Sequence, residues 1–471
     1  MGSPLTLDPD RLFPPDPATR GIARELFAGI ERLPIVSPHG HVDPAWFAGN
    51  HPFEDAVSLF LWPDHYLLRM LYSQGVSFGE LGIPGGEGAV EPDRRTIWRR
   101  FAARYALFRA TPSRLWLDHV FATIFGIAVR LEAETADFYF DTINAALARP
   151  EFRPRALFER FDIAAIATTE GALDQLPHHR AIRASGWGGR VLSTFRPDDV
   201  TDPERAEFAA NLDRLEALTG HGTGSWEGYL AALAARRAYF RAEAGATATD
   251  HGHPSARTAD LSLADCRALF ARVRAGGASG ADAGLFRAQM LTEMAAMSCA
   301  DGMVMQLHPG AWRNHNPALF AAYGRDRGAD LPTRTGYVGE LKPLLDRFGN
   351  RADFTLILFT LDESSYAREL APLAGHYPCL RLGPPWWFHD SPEGMLRFRR
   401  QATETAGFYN TVGFNDDTRA FLSIPARHDV ARRIDCAFLA ELVASGRLGL
   451  DEAAAVAFDL TARLPREAYR L

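Results

Sequence analysis

The sequence predicts an α/β fold: a distorted (β/α)8, TIM-like barrel with a helical cap subdomain inserted between its first and second strands. Three observations lead there. Short apolar, β-rich runs recur eight times between longer amphipathic stretches, the pattern of buried parallel strands alternating with helices. Nearly every run ends in polar, chemically capable residues, and a closed barrel gathers such strand ends at one face. Residues 44–160, between the first two runs, are rich in aromatics and arginine and read as helices.

Taken in order, the first run is LPIVSPHGH near residue 33, which closes an N-terminal segment of residues 1–43. The expected cap, 44–160, contains WPDHYLLRMLYSQGV and RRTIWRRFAARYALFRATPSRLWLDHV. The remaining barrel, 161–471, carries FDIAAIATT, RVLSTFRP, GATATDHG, GMVMQLHPG, FTLILFT, CLRLGPPWWF and FYNTVGFND as strands two to eight. The small-residue stretch at 274–284 suggests a mobile loop.

Composition narrows the chemistry. Of 51 basic residues, lysine occurs once, at Lys342, in GELKPLLDRF, a surface-helix pattern. That excludes a P-loop, argues against a Schiff-base enzyme, and leaves no lysine at a strand end to bridge two metals. A formal charge of -7 without aromatic-studded basic runs argues against nucleic acid as a partner. Neither a long apolar span nor a leader-like N-terminus is evident, so a cytoplasmic enzyme without a membrane partner is expected. Cys266, Cys299, Cys379 and Cys436 form no CxxC pair and are expected as reduced, mostly buried thiols.

The chemistry-bearing residues sit at strand ends. In His39-Gly40-His41 alternate residues face one way, so both imidazoles can reach one metal ion, although HxH alone also suits two unrelated histidines at a loop start. Asp416-Asp417-Thr418-Arg419 at the last strand offers a carboxylate beside a guanidinium, or else an Asx-type turn. Gln306-Leu307-His308 is followed by Arg313 and amide side chains that suit a polyhydroxylated acid. Softer candidates are Asp64-His65-Tyr66 with Arg69, Arg196, Asp250-His251-Gly252, and Trp386-Trp387-Phe388. Each also reads as packing or a surface ion pair when taken singly.

In this order, HGH, DHYLLR, FRPDD, ATDHG, VMQLHPGAWRNHN, GPPWWFHD and NDDTRAFLSIPARHDVARR resemble the uronate (glucuronate) isomerase family of the amidohydrolase superfamily. The resemblance implies one divalent metal ion, with zinc the expected metal, on His39, His41 and Asp417. His308 stands where relatives keep a histidine, as a further ligand or a substrate contact. His65, Tyr66, Arg196, Arg313, Trp386, Trp387 and Arg419 are implied around a small-molecule uronic acid. The chain reads Thr168-Thr169-Glu170-Gly171-Ala172 where relatives tend to carry Thr-Thr-Asp-Asp-Pro, and departs again at Pro309, Trp312 and His315.

The reaction so implied interconverts D-glucuronate with D-fructuronate, and D-galacturonate with D-tagaturonate. It requires a base to move a proton between C2 and C1, an acid at the carbonyl oxygen and charge stabilisation. Asp417, Tyr66 and the metal with Arg419 are the candidates, and Arg196 and Arg313 suit the substrate carboxylate. A mononuclear metal-dependent hydrolase is the alternative on the same barrel, and a non-catalytic sugar-acid binding barrel a remoter one. A homo-oligomer is expected on general grounds.

Overall fold

The computed structural model describes residues 2–471. Its strands are β1 (Ile35–Ser37), β2 (Ile163–Gly171), β3 (Val191–Arg196), β4 (Ala248–His251), β5 (Val304–Leu307), β6 (Ala311–Trp312), β7 (Leu331–Pro332), β8 (Leu356–Leu358) and β9 (Leu380–Leu382). Seven form one parallel sheet in the order β1-β2-β3-β4-β5-β8-β9, and β6 and β7 make a separate antiparallel ribbon. Helices separate successive strands of the sheet, as right-handed parallel crossovers require. The strands bury both faces, which explains runs such as Leu356–Leu358 with no polar alternation.

The eighth apolar run does not form a strand. Its Thr411 makes a single parallel bridge to Leu382, and the chain then continues beside β1, where the His41 N–H donates to the Thr418 carbonyl at 3.0 Å. Gly413 at φ 76° and Asp417 at φ 38° explain the interruption, since neither conformation fits an extended ladder. The ribbon of β6 and β7, unanticipated from the sequence, follows β5 at the site. The stretch expected as a mobile loop is half helix: Gly280–Asp301 begins inside it, with Ser279 and Asp282 forming a capping box. Lys342 starts a short helix and pairs with Asp346 at its exposed surface. The four cysteines are free thiols, and Cys266, Cys379 and Cys436 are buried.

Residues 44–160 hold six α-helices and no strand. Their starts follow capping chemistry: Asp64, Asp93 and Thr111 each accept hydrogen bonds from first-turn N–H groups. Their apolar faces join one core that also takes in Ile35, Ile163, Phe421 and Val430, so this segment packs directly on the first strands and on the helix Ile424–Ala444. No helix of the described residues is long and apolar enough to cross a membrane.

Candidate active site

The strand ends converge on a cavity of about 700 Å³, within the range of small-molecule sites. At its floor lie His39, His41 and Asp417. The Nε2 atoms of His39 and His41 stand 3.5 and 3.1 Å from Asp417 Oδ1, with the two rings steeply inclined at 79°. The loop is fixed by Thr169, whose hydroxyl donates to the Gly40 carbonyl at 2.9 Å. Asp417 occupies the left-handed region, a strained conformation for a non-glycine residue that turns its carboxylate toward the two histidines. Burial lowers the His39 imidazole to about 4, keeping it neutral near pH 7, the form that binds a metal. Burial works against charge on Asp417, yet the facing imidazoles of His39 and His41 hold its carboxyl far below the ordinary carboxylate range.

His308, one residue past β5, stacks on both His39 and Phe359, at centroid distances of 4.9 and 3.8 Å. Its Nδ1–H donates to Asp250 Oδ1 at 2.7 Å, which fixes the tautomer and leaves Nε2 as a lone pair. Among the described residues His39 Nε2, His308 Nε2 and Asp417 Oδ1 are buried with no hydrogen-bond partner. Buried polar atoms are seldom left so. Two overlapping sets, His39-His41-Asp417 and His39-Asp250-His308, each bring their donor atoms within 4.8 Å of one another. Two or more imidazoles with a carboxylate are the donor set of a catalytic divalent ion, so these residues fit a metal.

Around this floor every expected arginine already holds a carboxylate. Arg196 Nε donates to Asp198 at 2.7 Å and its Nη1 lies 3.1 Å from Asp250. Arg313 pairs with Asp330 at 2.8 Å and lies over the Trp387 ring, and Arg419 pairs with Asp326 at 3.3 Å. The Tyr66 hydroxyl donates to the Trp387 carbonyl at 3.2 Å, its ring stacked on His65. Burial pushes that hydroxyl well above its usual range and lowers His65 to about 3, so both are neutral at physiological pH. Trp386 packs on the edge of His308 and against Trp387.

A sequence profile of the glucuronate isomerase family matches residues 18–460. The chain belongs to the glucuronate isomerase family. The uronate isomerase of Rhizorhabdus wittichii is 66% identical over all of this chain and 99% of its own, and that of Phenylobacterium zucineum is 64% identical over all of this chain and 98% of its own. The solved glucuronate isomerase of Caulobacter crescentus superposes with a TM-score of 0.97 at 59% identity, over 99% of this chain and 97% of that one. Membership in this isomerase family does not favour the hydrolase alternative.

In this glucuronate isomerase family chain, all eleven residues singled out for metal, substrate or catalysis line the one cavity. Asp250, a soft candidate, links His308 to Arg196. Of the remaining soft candidates, Asp64 and Gly252 also line the cavity, whereas His251, buried against Thr249, and Arg69, lying over Phe388, do not. In the segment 168–172, Thr169, shared with the family, lines the cavity, whereas the departing Glu170, Gly171 and Ala172 do not. Glu170 is buried against Ser193, and burial pushes its carboxyl up to about 7. Trp312 stands at the rim, 61% exposed, with the His315 ring 5.4 Å away. Sequence reasoning missed a second set. Arg427 pairs with Asp390 in the cavity wall, and His428 Nε2 donates to Asp416 at 3.1 Å. Their one signal is charged residues recurring on the buried face of the helix Ile424–Ala444.

Proposed function

We propose that this protein is an aldose–ketose isomerase of hexuronic acids, interconverting D-glucuronate with D-fructuronate and D-galacturonate with D-tagaturonate. The carrying observation is the convergence, in one cavity, of partnerless His39, His308 and Asp417 atoms with a neutral buried tyrosine and cation-bearing walls. Asp417 removes the C2 proton of the open-chain aldehyde and returns it to C1, through an enediol. Tyr66, kept protonated by its burial, hydrogen-bonds the carbonyl oxygen and exchanges a proton with it. A divalent ion, with zinc the proposed metal, would be held by His39, His41 and Asp417 and would supply positive charge against the developing oxyanion. Arg419 adds to that charge from the same turn.

Arg313 and Arg419, at 41% and 39% side-chain exposure, retain unused donors for the substrate carboxylate. Arg196 is committed on two nitrogens to Asp198 and Asp250, so its part in gripping substrate falls to Nη2. His65, Trp386 and Trp387 wall the substrate in, His308 serves as a further ligand or a substrate contact, and residues 44–160 cap a closed barrel. The setting proposed is cytoplasmic, with the enzyme as a homo-oligomer.

The test is turnover of glucuronate and galacturonate by purified protein as isolated, after chelation, and after zinc is restored. Formation of a 2-keto acid that is lost on chelation and regained with zinc supports the reading. A folded, metal-loaded protein that converts neither acid contradicts it.

A further inference from the structure

We propose that Asp390 contacts the substrate, its Oδ1 accepting a hydrogen bond from a hydroxyl group of the bound sugar acid. This rests on the reading of the cavity as a uronate site.

Asp390 is 5% exposed, lines the cavity, and follows the turn Trp387–His389. Its Oδ2 accepts from Arg427 Nη1. Arg427 is itself fixed by a 3.1 Å bond from Nε to Ser423 Oγ and by stacking 3.5 Å over the Trp116 ring. The carboxylate therefore has one anchored oxygen, and the other, Oδ1, is buried with no partner among the described residues.

Two other buried arginine–aspartate pairs, remote from the cavity, are built differently. Arg399 donates from Nε to Asp435 Oδ1 at 2.6 Å and from Nη2 to Oδ2 at 3.0 Å. Arg237 binds Asp301 in the same two-point way, at 2.6 and 2.9 Å. Those pairs lie away from the cavity and satisfy both carboxylate oxygens, the arrangement a structural ion pair favours. Asp390 alone of the three lines the cavity, and it withholds one oxygen. Leaving that acceptor unmade in a buried wall costs free energy, which a ligand hydroxyl recovers.

An ionised carboxylate accepts and does not donate, so it matches a hydroxyl and repels the substrate's own carboxylate. Asp390 thereby helps set which way round the sugar acid lies, with the acid group left to Arg313 and Arg419. The charged and titratable groups facing Asp390 are Arg427, Asp416 and Asp417, with Tyr66 beside Arg427. Burial raises the Asp390 carboxyl to about 7 against the pull of Arg427. Binding that needs the ionised form then weakens as pH falls through that value.

The test compares wild type with Asp390→Asn, whose amide oxygen keeps the Arg427 contact and places an NH2 where the acceptor stood. We expect KM for both uronates to rise on the order of 10- to 100-fold, the range for a hydrogen bond to a charged group. The unfolding midpoint should fall, because Arg427 loses its charged partner, so KM is read well below the variant's own midpoint. Wild-type KM should rise as pH falls through about 7, and the variant should lack that limb. KM within twofold of wild type with the limb intact makes Asp390 a counter-ion of Arg427 and overturns the inference. Should the variant not fold, 13C NMR of carboxyl-labelled wild type with D-gluconate decides. A carboxyl titrating near pH 7 that moves down on binding supports the inference, and an unmoved one overturns it. A wild type that turns over neither uronate overturns the isomerase reading itself, whereas turnover beside an unaffected variant overturns this inference alone.

Discussion

Single residues set the chemistry through the partners they lack. Asp417 faces two imidazoles and keeps Oδ1 without a hydrogen bond, which suits a carboxylate that both meets a cation and handles a proton. Asp417→Asn is expected to lower kcat by at least ~10², the usual worth of a positioned base. Uronate binding, read by calorimetry, should persist in that variant. Asp250 acts one step back, since its bond to His308 Nδ1 aims the opposite nitrogen at the cavity. With His308 as a ligand, Asp250→Asn should weaken metal retention about 10- to 100-fold, as removing such an orienting carboxylate commonly does, and with His308 as a substrate contact it should leave retention unchanged and raise KM instead; a competition titration with a chromophoric chelator separates the two. His39, His41 and His308 were legible because strand periodicity and strand-end position constrain where such residues can point. The links of Asp390 to Arg427 and of Asp416 to His428 were not, because charged residues recurring along the helix Ile424–Ala444 do not say in the sequence which of them are buried or what they face.

At the level of elements, short strands and capped helices place those residues. The helix His65–Ser73 starts at Asp64, whose carboxylate accepts from the Tyr66 and Leu67 N–H groups at 2.8 and 3.1 Å. Tyr66 therefore owes its position to a cap. Asp64→Ala should cost about 0.5–2 kcal/mol of stability, measured by urea unfolding, and should lower kcat more than it raises KM as the tyrosine loses its register. The seven ladder strands were legible as apolar runs of the right length. The eighth, FYNTVGFND, carries the same apolar signal but contains Gly413 at a positive φ, and a run of residue types does not announce the backbone angles that break a ladder. The β6–β7 ribbon was hidden for a related reason, since two-residue strands carry no periodicity.

For the whole molecule, burial couples folding to pH. Burial holds His119 and His179 at about 4 and His251 at about 3, below their ordinary 6.5. Between pH 6.5 and 4 the unfolded chain thus binds protons that the folded chain refuses, and stability falls as pH drops through that window. Glu170 and Asp390, raised by burial to about 7, act in the opposite sense, and their contribution is lost as pH rises through 7. These three histidines, joined by His39 and His65, which burial holds low in the same way, outnumber the two acids, so the thermal midpoint should fall steadily from pH 6.5 to 4; a flat profile there would contradict the burial of these imidazoles. Architecture was readable at this scale from alternating runs. The close packing of residues 44–160 on the first strands was not, because one shared core leaves no trace in the order of the segments.

The central claim, that Asp417 moves a proton between C2 and C1, is tested most directly by running the isomerisation in deuterated water over many turnovers. Proton NMR would follow C2 of glucuronate and C1 of fructuronate. The account predicts progressive deuterium at both carbons with wild type and none with Asp417→Asn. Deuterium uptake and interconversion by Asp417→Asn within about tenfold of the wild-type rate would contradict it, since another group would then be moving the proton.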